Sequence, residues 1–197
     1  MKTYAFTGHR PDKLGGYSTT NNPIYDKVKD WLEFTVEYLV RRHEDVTFIS
    51  GGALGVDQMA AEAVLKIKAK YAGGVLVDKD GTLQSFKPQI RLMLALPCRG
   101  YDGKWPENSR RMYASILRQA DTHVYVHDGP YPGAWCLQKR NEYMVDQADG
   151  VIAVFNGDKD GGTRNCMLYA WKVHKPILQL DIKHWQEVRH VRPPKKK

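Results

Sequence analysis

A chain of 197 residues, 42% hydrophobic and 26% charged, is long enough for one α/β core and too apolar for a disordered segment. Its formal net charge of +8 admits a polyanionic partner without requiring one, since three of those charges sit in Lys195, Lys196 and Lys197. No apolar run approaches the ~20 residues of a membrane helix, and the apolar stretch at the N-terminus is too short for a signal peptide. Three widely spaced cysteines, Cys98, Cys136 and Cys166, give neither a disulfide framework nor a zinc knuckle. A reducing cytoplasm is the expected location.

The first strand is expected at Tyr4–Thr7, running into Thr7-Gly8-His9-Arg10-Pro11 and then a polar loop from Asp12 to Asn22. Apolar residues at three- and four-residue spacing predict a helix over about Ile24–His43. A second strand, Val46–Ile49, enters Ser50-Gly51-Gly52-Ala53-Leu54-Gly55-Val56-Asp57, and a helix follows to about Ala69. Residues 73–86 carry an Asp-Gly turn between short apolar runs, which predicts a small β-hairpin insertion. Further strands are expected at Ile90–Leu96, His123–Val126, Val151–Phe155 and Pro176–Leu180. Helices are expected at Glu107–Gln119, Trp135–Ala148 and from Asp160-Gly161-Gly162-Thr163 to His174.

Alternating strands and helices predict an α/β fold: a Rossmann-like, doubly wound, mostly parallel sheet with helices on both faces. Residues 1–182 read as a single domain and 183–197 as a basic C-terminal tail. In such a sheet, ligands bind beyond the carboxyl ends of the strands, where all the polar and glycine-rich loops gather.

Two glycine loops, Ser50–Gly55 and Gly161-Gly162-Thr163, each open a helix and can offer backbone N–H groups to a phosphate. Packing alone is the other reading of the same glycines. Arg10 can add a charge-assisted contact, against the alternative of a surface arginine. Tyr101 and Trp105 lie in a polar loop, where either can stack on a base or simply cap the sheet edge. Arg140 and Asn141 sit on a helix, where an arginine is ordinarily solvated or paired. Asp57 begins its helix, either as a cap or as a partner for ribose hydroxyls. Glu62 and Glu142 are the remaining carboxylates with general acid or base chemistry to offer. His123 and His127 lack a third ligand, so no metal is expected.

Thr7-Gly8-His9-Arg10-Pro11, Ser50-Gly51-Gly52-Ala53-Leu54-Gly55-Val56-Asp57, Arg140-Asn141 with Met144-Val145-Asp146, and Gly161-Gly162-Thr163 together resemble the SLOG superfamily, which joins DprA/Smf proteins with LOG proteins. Within it the chain is most similar to the YpsA-like family. The resemblance spans about Lys2–Leu180 and implies a doubly wound sheet binding nucleotides or nucleotide-derived ligands through these loops. LOG-type phosphoribohydrolases place a glutamate shortly after a Pro-Gly-Gly-x-Gly-Thr loop; here Arg164-Asn165-Cys166-Met167 follows Thr163, with no acid.

Three functions follow as expectations. The first is binding of a phosphate-bearing small molecule, an ADP-ribose-like signal being one form, by Thr7, Gly8, His9, Arg10, Ser50, Gly51, Gly52, Gly55, Asp57, Tyr101, Trp105, Arg140, Asn141, Gly161, Gly162 and Thr163. It acts there as sensor or sequestering protein, with no further cofactor and homo-oligomerisation left open. The second is nucleotide N-glycoside hydrolysis, with Glu62 or Asp57 stabilising the oxocarbenium-like centre. The third is DprA-like binding of single-stranded nucleic acid, with no membrane partner in any of the three.

Overall fold

The computed structural model describes residues 1–17, 21–77 and 80–190. Nine strands and five helices are found among them, and seven of the strands form one sheet. In chain order they are β1 (Lys2–Gly8), α1 (Pro23–His43), β2 (Asp45–Ser50), α2 (Val56–Lys70), β3 (Val75–Val77), β4 (Leu83–Ser85) and β5 (Gln89–Leu96). Then come α3 (Glu107–Gln119), β6 (Thr122–Tyr125), α4 (Trp135–Asp146), β7 (Gly150–Phe155), α5 (Gly162–Lys172), β8 (Ile177–Asp181) and β9 (Gln186–His190).

The sheet order is β6-β5-β2-β1-β7-β8-β9, parallel except where β9 returns antiparallel beside β8. β1 is therefore central: the chain winds outward from it to β6, then crosses to β7 on its other side. Side chains of the central strands alternate between two helical layers, as a pleated strand requires. Phe6, Phe48, Leu92 and Ile152 point to one core with α1, α2 and α3. Ala5, Ile49 and Ala95 point to the other face, where α4 contributes Met144. Val151, Ala153 and Phe155 of β7 meet Cys166, Met167 and Ala170 of α5 on that same side. Each large apolar side chain buried in this way contributes about 1.5–3 kcal/mol.

Local chemistry sets the helix ends. The Asn22 side chain accepts hydrogen bonds from the Ile24 and Tyr25 amides (3.1 and 3.3 Å), and Pro23 supplies a preset φ at the first position of α1. Glu44, at φ 58°, ends that helix in the left-handed conformation, its N–H bonded to Val40 O.

The expected hairpin is present as β3 and β4, an antiparallel pair separate from the main sheet. Asp78 and Lys79 of its turn lie outside the described residues, whereas Asp80 Oδ1 accepts from the Thr82 amide at 3.0 Å. One expectation needs correction. The segment assigned to a tail from 183 onward instead supplies β9, which pairs Gln186–His190 with Ile177–Asp181. The turn before it is held by the Asp181 carboxylate, which accepts from the Lys183 and His184 amides. Residues 191–197, including the terminal lysines, lie outside the described residues. Among the described residues, no helix is long and apolar enough to cross a membrane.

Candidate functional site

The strand order reverses between β1 and β7, and an open sheet leaves a crevice at the carboxyl ends there. A cavity of about 290 Å³ occupies it. The end of β1 supplies Thr7 and Gly8, and the loop after it His9 and Arg10. The loop after β7 supplies Asp158, Asp160 and Gly161, and α5 begins on the same wall with Gly162 and Thr163. Leu137, Arg140 and Asn141 reach it from one face of α4, and Ala53, Leu54, Asp57 and Tyr101 close the far side.

His9 ties the two central loops together. Its ring stacks on Phe155 with centroids 5.4 Å apart, and its Nε2 accepts the Asn156 amide at 3.1 Å. Accepting through Nε2 requires the neutral ring, and burial, the largest influence on it, lowers His9 below the ordinary histidine range.

The two glycine loops differ in kind. In the first, the Gly52 amide donates to Ser50 Oγ, the Ala53 amide to Asp57 Oδ2 and the Val56 amide to His9 O. The Gly51 carbonyl accepts from the Tyr101 hydroxyl and the Gly52 carbonyl from Gln58. Ser50, Gly51, Gly52 and Gly55 do not line the cavity. A Cβ on Gly51 would fall 1.2 Å from Arg140 Nη1, one on Gly55 2.4 Å from His9 O, and one on Gly8 2.4 Å from Val56 Cγ1. These glycines make room for neighbouring protein atoms. Their expected role as an amide cradle is corrected to packing, although Gly8 itself borders the cavity.

The second loop is open. A Cβ on Gly161 or Gly162 would meet nothing within 4 Å, Gly161 sits at φ 102°, and no side chain caps α5. Asn141 Nδ2 donates to Gly162 O at 3.4 Å and steadies this helix start. The exposed first turn of α5 has the features of an anion site.

Beneath it lies a buried ion pair. Arg140 Nη1 donates to Asp57 Oδ2 at 3.1 Å, with side-chain exposures of 8% and 9%. Burial pushes the Asp57 carboxyl up, while the Arg140 guanidinium and the Ala53 amide pull it back. Arg140 Nε, also buried, has no acceptor among the described residues. A buried donor left unmatched costs about 1–3 kcal/mol.

Besides Ser50, Gly51, Gly52 and Gly55, two further expected residues are not brought to the cleft. Glu62 lies five positions after Asp57, about 140° around the helix. It faces a groove between α2 and α3 instead, and burial raises its carboxyl. Trp105 does not line the cavity; its ring packs edge-on against Tyr101 and Tyr113, at 4.8 and 5.5 Å. Tyr101 does border it, with its hydroxyl engaged by Gly51. Sequence reasoning missed Leu137, one helical turn before Arg140-Asn141, and the ion pair Lys13–Asp158 (3.3 Å) beside the opening. The signal for Leu137 was the four-residue helical spacing. Among the described residues, no group of three or more His, Cys, Asp or Glu side chains is placed to hold a metal.

The YpsA family model, described as the YspA SLOG family, matches residues 4–183. The chain belongs to the YspA SLOG family. Among its relatives is the uncharacterized SPbeta prophage-derived protein YoqJ of Bacillus subtilis, 32% identical over 184 residues, covering 83% of this chain and 98% of that protein. A UPF0398 protein of Halalkalibacterium halodurans is 30% identical over 161 residues, covering 82% and 76%. The UPF0398 protein YpsA of Bacillus subtilis is 23% identical over 164 residues, covering 83% and 81%. A solved structure of DNA processing protein A from Helicobacter pylori, described for its single-stranded DNA binding mode, superposes with a TM-score of 0.57 at 20% identity. The match covers 90% of this chain but 64% of that one, and at this identity it establishes the shared fold alone. The SLOG assignment and the Rossmann-like α/β layout expected from the motifs both hold.

Proposed function

We propose that the cleft binds a nucleotide-derived small molecule, ADP-ribose-like in chemistry, and that the protein senses or sequesters it. The observation that carries this reading is the meeting of the open α5 N-terminus with the buried, partly unmatched Arg140 in one cavity. A phosphate fits the first turn of α5, with exposed Arg10 as a second cation. Asp160 and Asp12 supply acceptors for ribose hydroxyls, while Leu54, Leu137 and the edge of Tyr101 supply an apolar wall for a base.

Turnover is less well supported than binding. A hydrolase needs a free carboxylate beside the glycosidic bond. Glu62 faces another groove, and Asp57 is committed to Arg140 and Ala53.

Small molecules released by denaturing the purified protein are identified by mass spectrometry, and ADP-ribose, AMP and inorganic phosphate are titrated calorimetrically. The expected result is a nucleotide diphosphate ribose among the released species and binding weakened at least about tenfold in Arg10→Ala and Gly162→Val. Unchanged affinity in both variants would sink the site. Released free base and ribose phosphate would instead favour hydrolysis.

A further inference from the structure

Helix α1 turns an aromatic face to solvent. Its inner side, with Val28, Leu32, Val36, Leu39 and Val40, is buried in the core. On the outer side, where a surface helix is ordinarily polar, Phe34 is 67% exposed and Tyr38 41% exposed. The two rings are one helical turn apart and therefore adjacent. Half-buried Trp31 flanks them and donates to Glu187, and Lys27, one turn earlier, lies over the exposed Trp185 ring at 4.7 Å. Phe, Tyr and Trp side chains gathered in this way mark a protein–protein contact surface rather than ordinary exterior. None of them lines the cleft.

The charges at the two ends of this face are laid out in order. Asp30, Phe34, Tyr38 and Arg42 are all exposed and stand four residues apart, which makes them one continuous ridge of the helix. Glu33 of the same helix is committed to Lys66, and Glu37 to Lys70 and Arg41. Among the described residues, Asp30 and Arg42 enter no ion pair; Arg42 Nη1 only approaches the Tyr38 hydroxyl, at 3.5 Å. The ridge therefore runs acid, aromatic, aromatic, base. Turned end to end, it is complementary to itself.

We propose that this ridge is the contact surface of a homodimer, in which two copies of α1 cross antiparallel about a two-fold axis level with Val36. A two-fold contact requires that each residue pair occur twice, once in each direction. Phe34 then meets the partner's Tyr38 and Asp30 meets the partner's Arg42, since both pairs are centred on residue 36. At about 100° per residue, Phe34 and Tyr38 lie about 20° either side of the contact line, and Asp30 and Arg42 about 60° either side. The rings thus form a dry centre and the charges a wetter rim, the usual anatomy of an interface. A parallel pairing would set Asp30 against Asp30 and Arg42 against Arg42. One ridge and its flanks cover less than the roughly 800 Å² per partner of a standard interface, so association in the micromolar range is expected. α1 packs on the sheet face opposite α4 and α5, and the dimer does not depend on which ligand the cleft takes.

Sedimentation velocity on the full-length protein, from about 1 to about 200 μM, reads the association directly. A monomer–dimer equilibrium is expected. Phe34→Glu changes an exposed side chain, so its thermal melt is expected to match the parent's while the dimer weakens at least about tenfold. Asp30→Arg and Arg42→Asp each place like charges at both ends of the contact and are expected to weaken it several-fold at low salt. An equimolar mixture of those two variants is expected to recover the association, because every end then pairs an arginine with an aspartate. A chain monomeric throughout, or a dimer indifferent to Phe34→Glu, would overturn the interface. A mixture no tighter than either variant alone would overturn the antiparallel register. A monomer that co-sedimented with phosphatidylglycerol vesicles through Phe34 would assign the face to a membrane surface and overturn the dimer.

Discussion

Gly51 and Gly162 are the same residue type in similar loops, and a single methyl group tells them apart. On Gly51 it would lie 1.2 Å from Arg140 Nη1 and 2.5 Å from Asp57 Oδ2, so Gly51→Ala must separate a buried ion pair. Breaking such a pair costs about 3–5 kcal/mol, which urea denaturation would report as a matching loss of stability. On Gly162 the methyl meets nothing within 4 Å, so Gly162→Ala is expected to keep stability within about 0.5 kcal/mol, the usual range for a surface change. A large loss in the second variant, or none in the first, would reverse their assigned roles. His9 adds a pH dependence. Burial lowers it below its ordinary 6.5, so as pH falls the unfolded chain takes up the proton first. The stability that the neutral ring contributes is complete above about 6.5 and is lost as pH falls toward the lowered folded value. His9→Gln keeps an acceptor for Asn156 without a titrating ring. Its urea midpoint is expected to decline less than the parent's between about pH 7 and about pH 5; parallel curves would show that other groups carry the effect.

At the level of elements, most of the fold was legible because each strand is a short apolar run and each helix has a three- and four-residue period. The helix expected at Glu107–Gln119 is found at those bounds, and the strand expected at Ile90–Leu96 gains one residue, Gln89. β9 was not legible, since Gln-Glu-Val-Arg-His has one aliphatic residue and no alternation. It is a strand because β8 needs a partner on that edge, and the Trp31 indole donates to Glu187 at 3.3 Å to hold it. The same limit applies to the site. The glycines of the α5 loop are unconstrained by neighbours. The Ser50–Gly55 loop shares the Gly-Gly pair before a helix, but its Gly51 answers to Arg140, which lies 83 positions beyond Asp57. Glu62 was misplaced for a simpler reason: five residues along a helix turn a side chain away from the face of the first.

For the molecule as a whole, charge and cleft are separate matters. The net +8 includes three terminal lysines, whereas the cleft mixes Arg10, Lys13 and Arg140 with Asp12, Asp57, Asp158 and Asp160. A polyanion drawn by overall charge would then depend on the terminus and on salt, while a small ligand in the cleft would not. Oligonucleotide affinity is expected to fall steeply as salt rises from about 50 to about 200 mM, and to be largely lost when residues 193–197 are deleted. Fluorescence anisotropy with a labelled single strand measures both. Binding that survived the deletion and higher salt would point to a base-stacking surface on the folded domain and would strengthen the kinship with DNA processing protein A.

The β3–β4 hairpin has a practical corollary. It forms a sheet of its own, and its two ends meet: the Phe86 amide donates to Gly74 O at 2.9 Å, and the Phe86 ring sits edge-on to Tyr71 at 5.1 Å. The polypeptide thus leaves the path from α2 to β5 and rejoins it at nearly the same point. That makes the hairpin a ready port for engineering, where a fluorophore or a reporter domain can be spliced in with the sheet and the cleft left undisturbed.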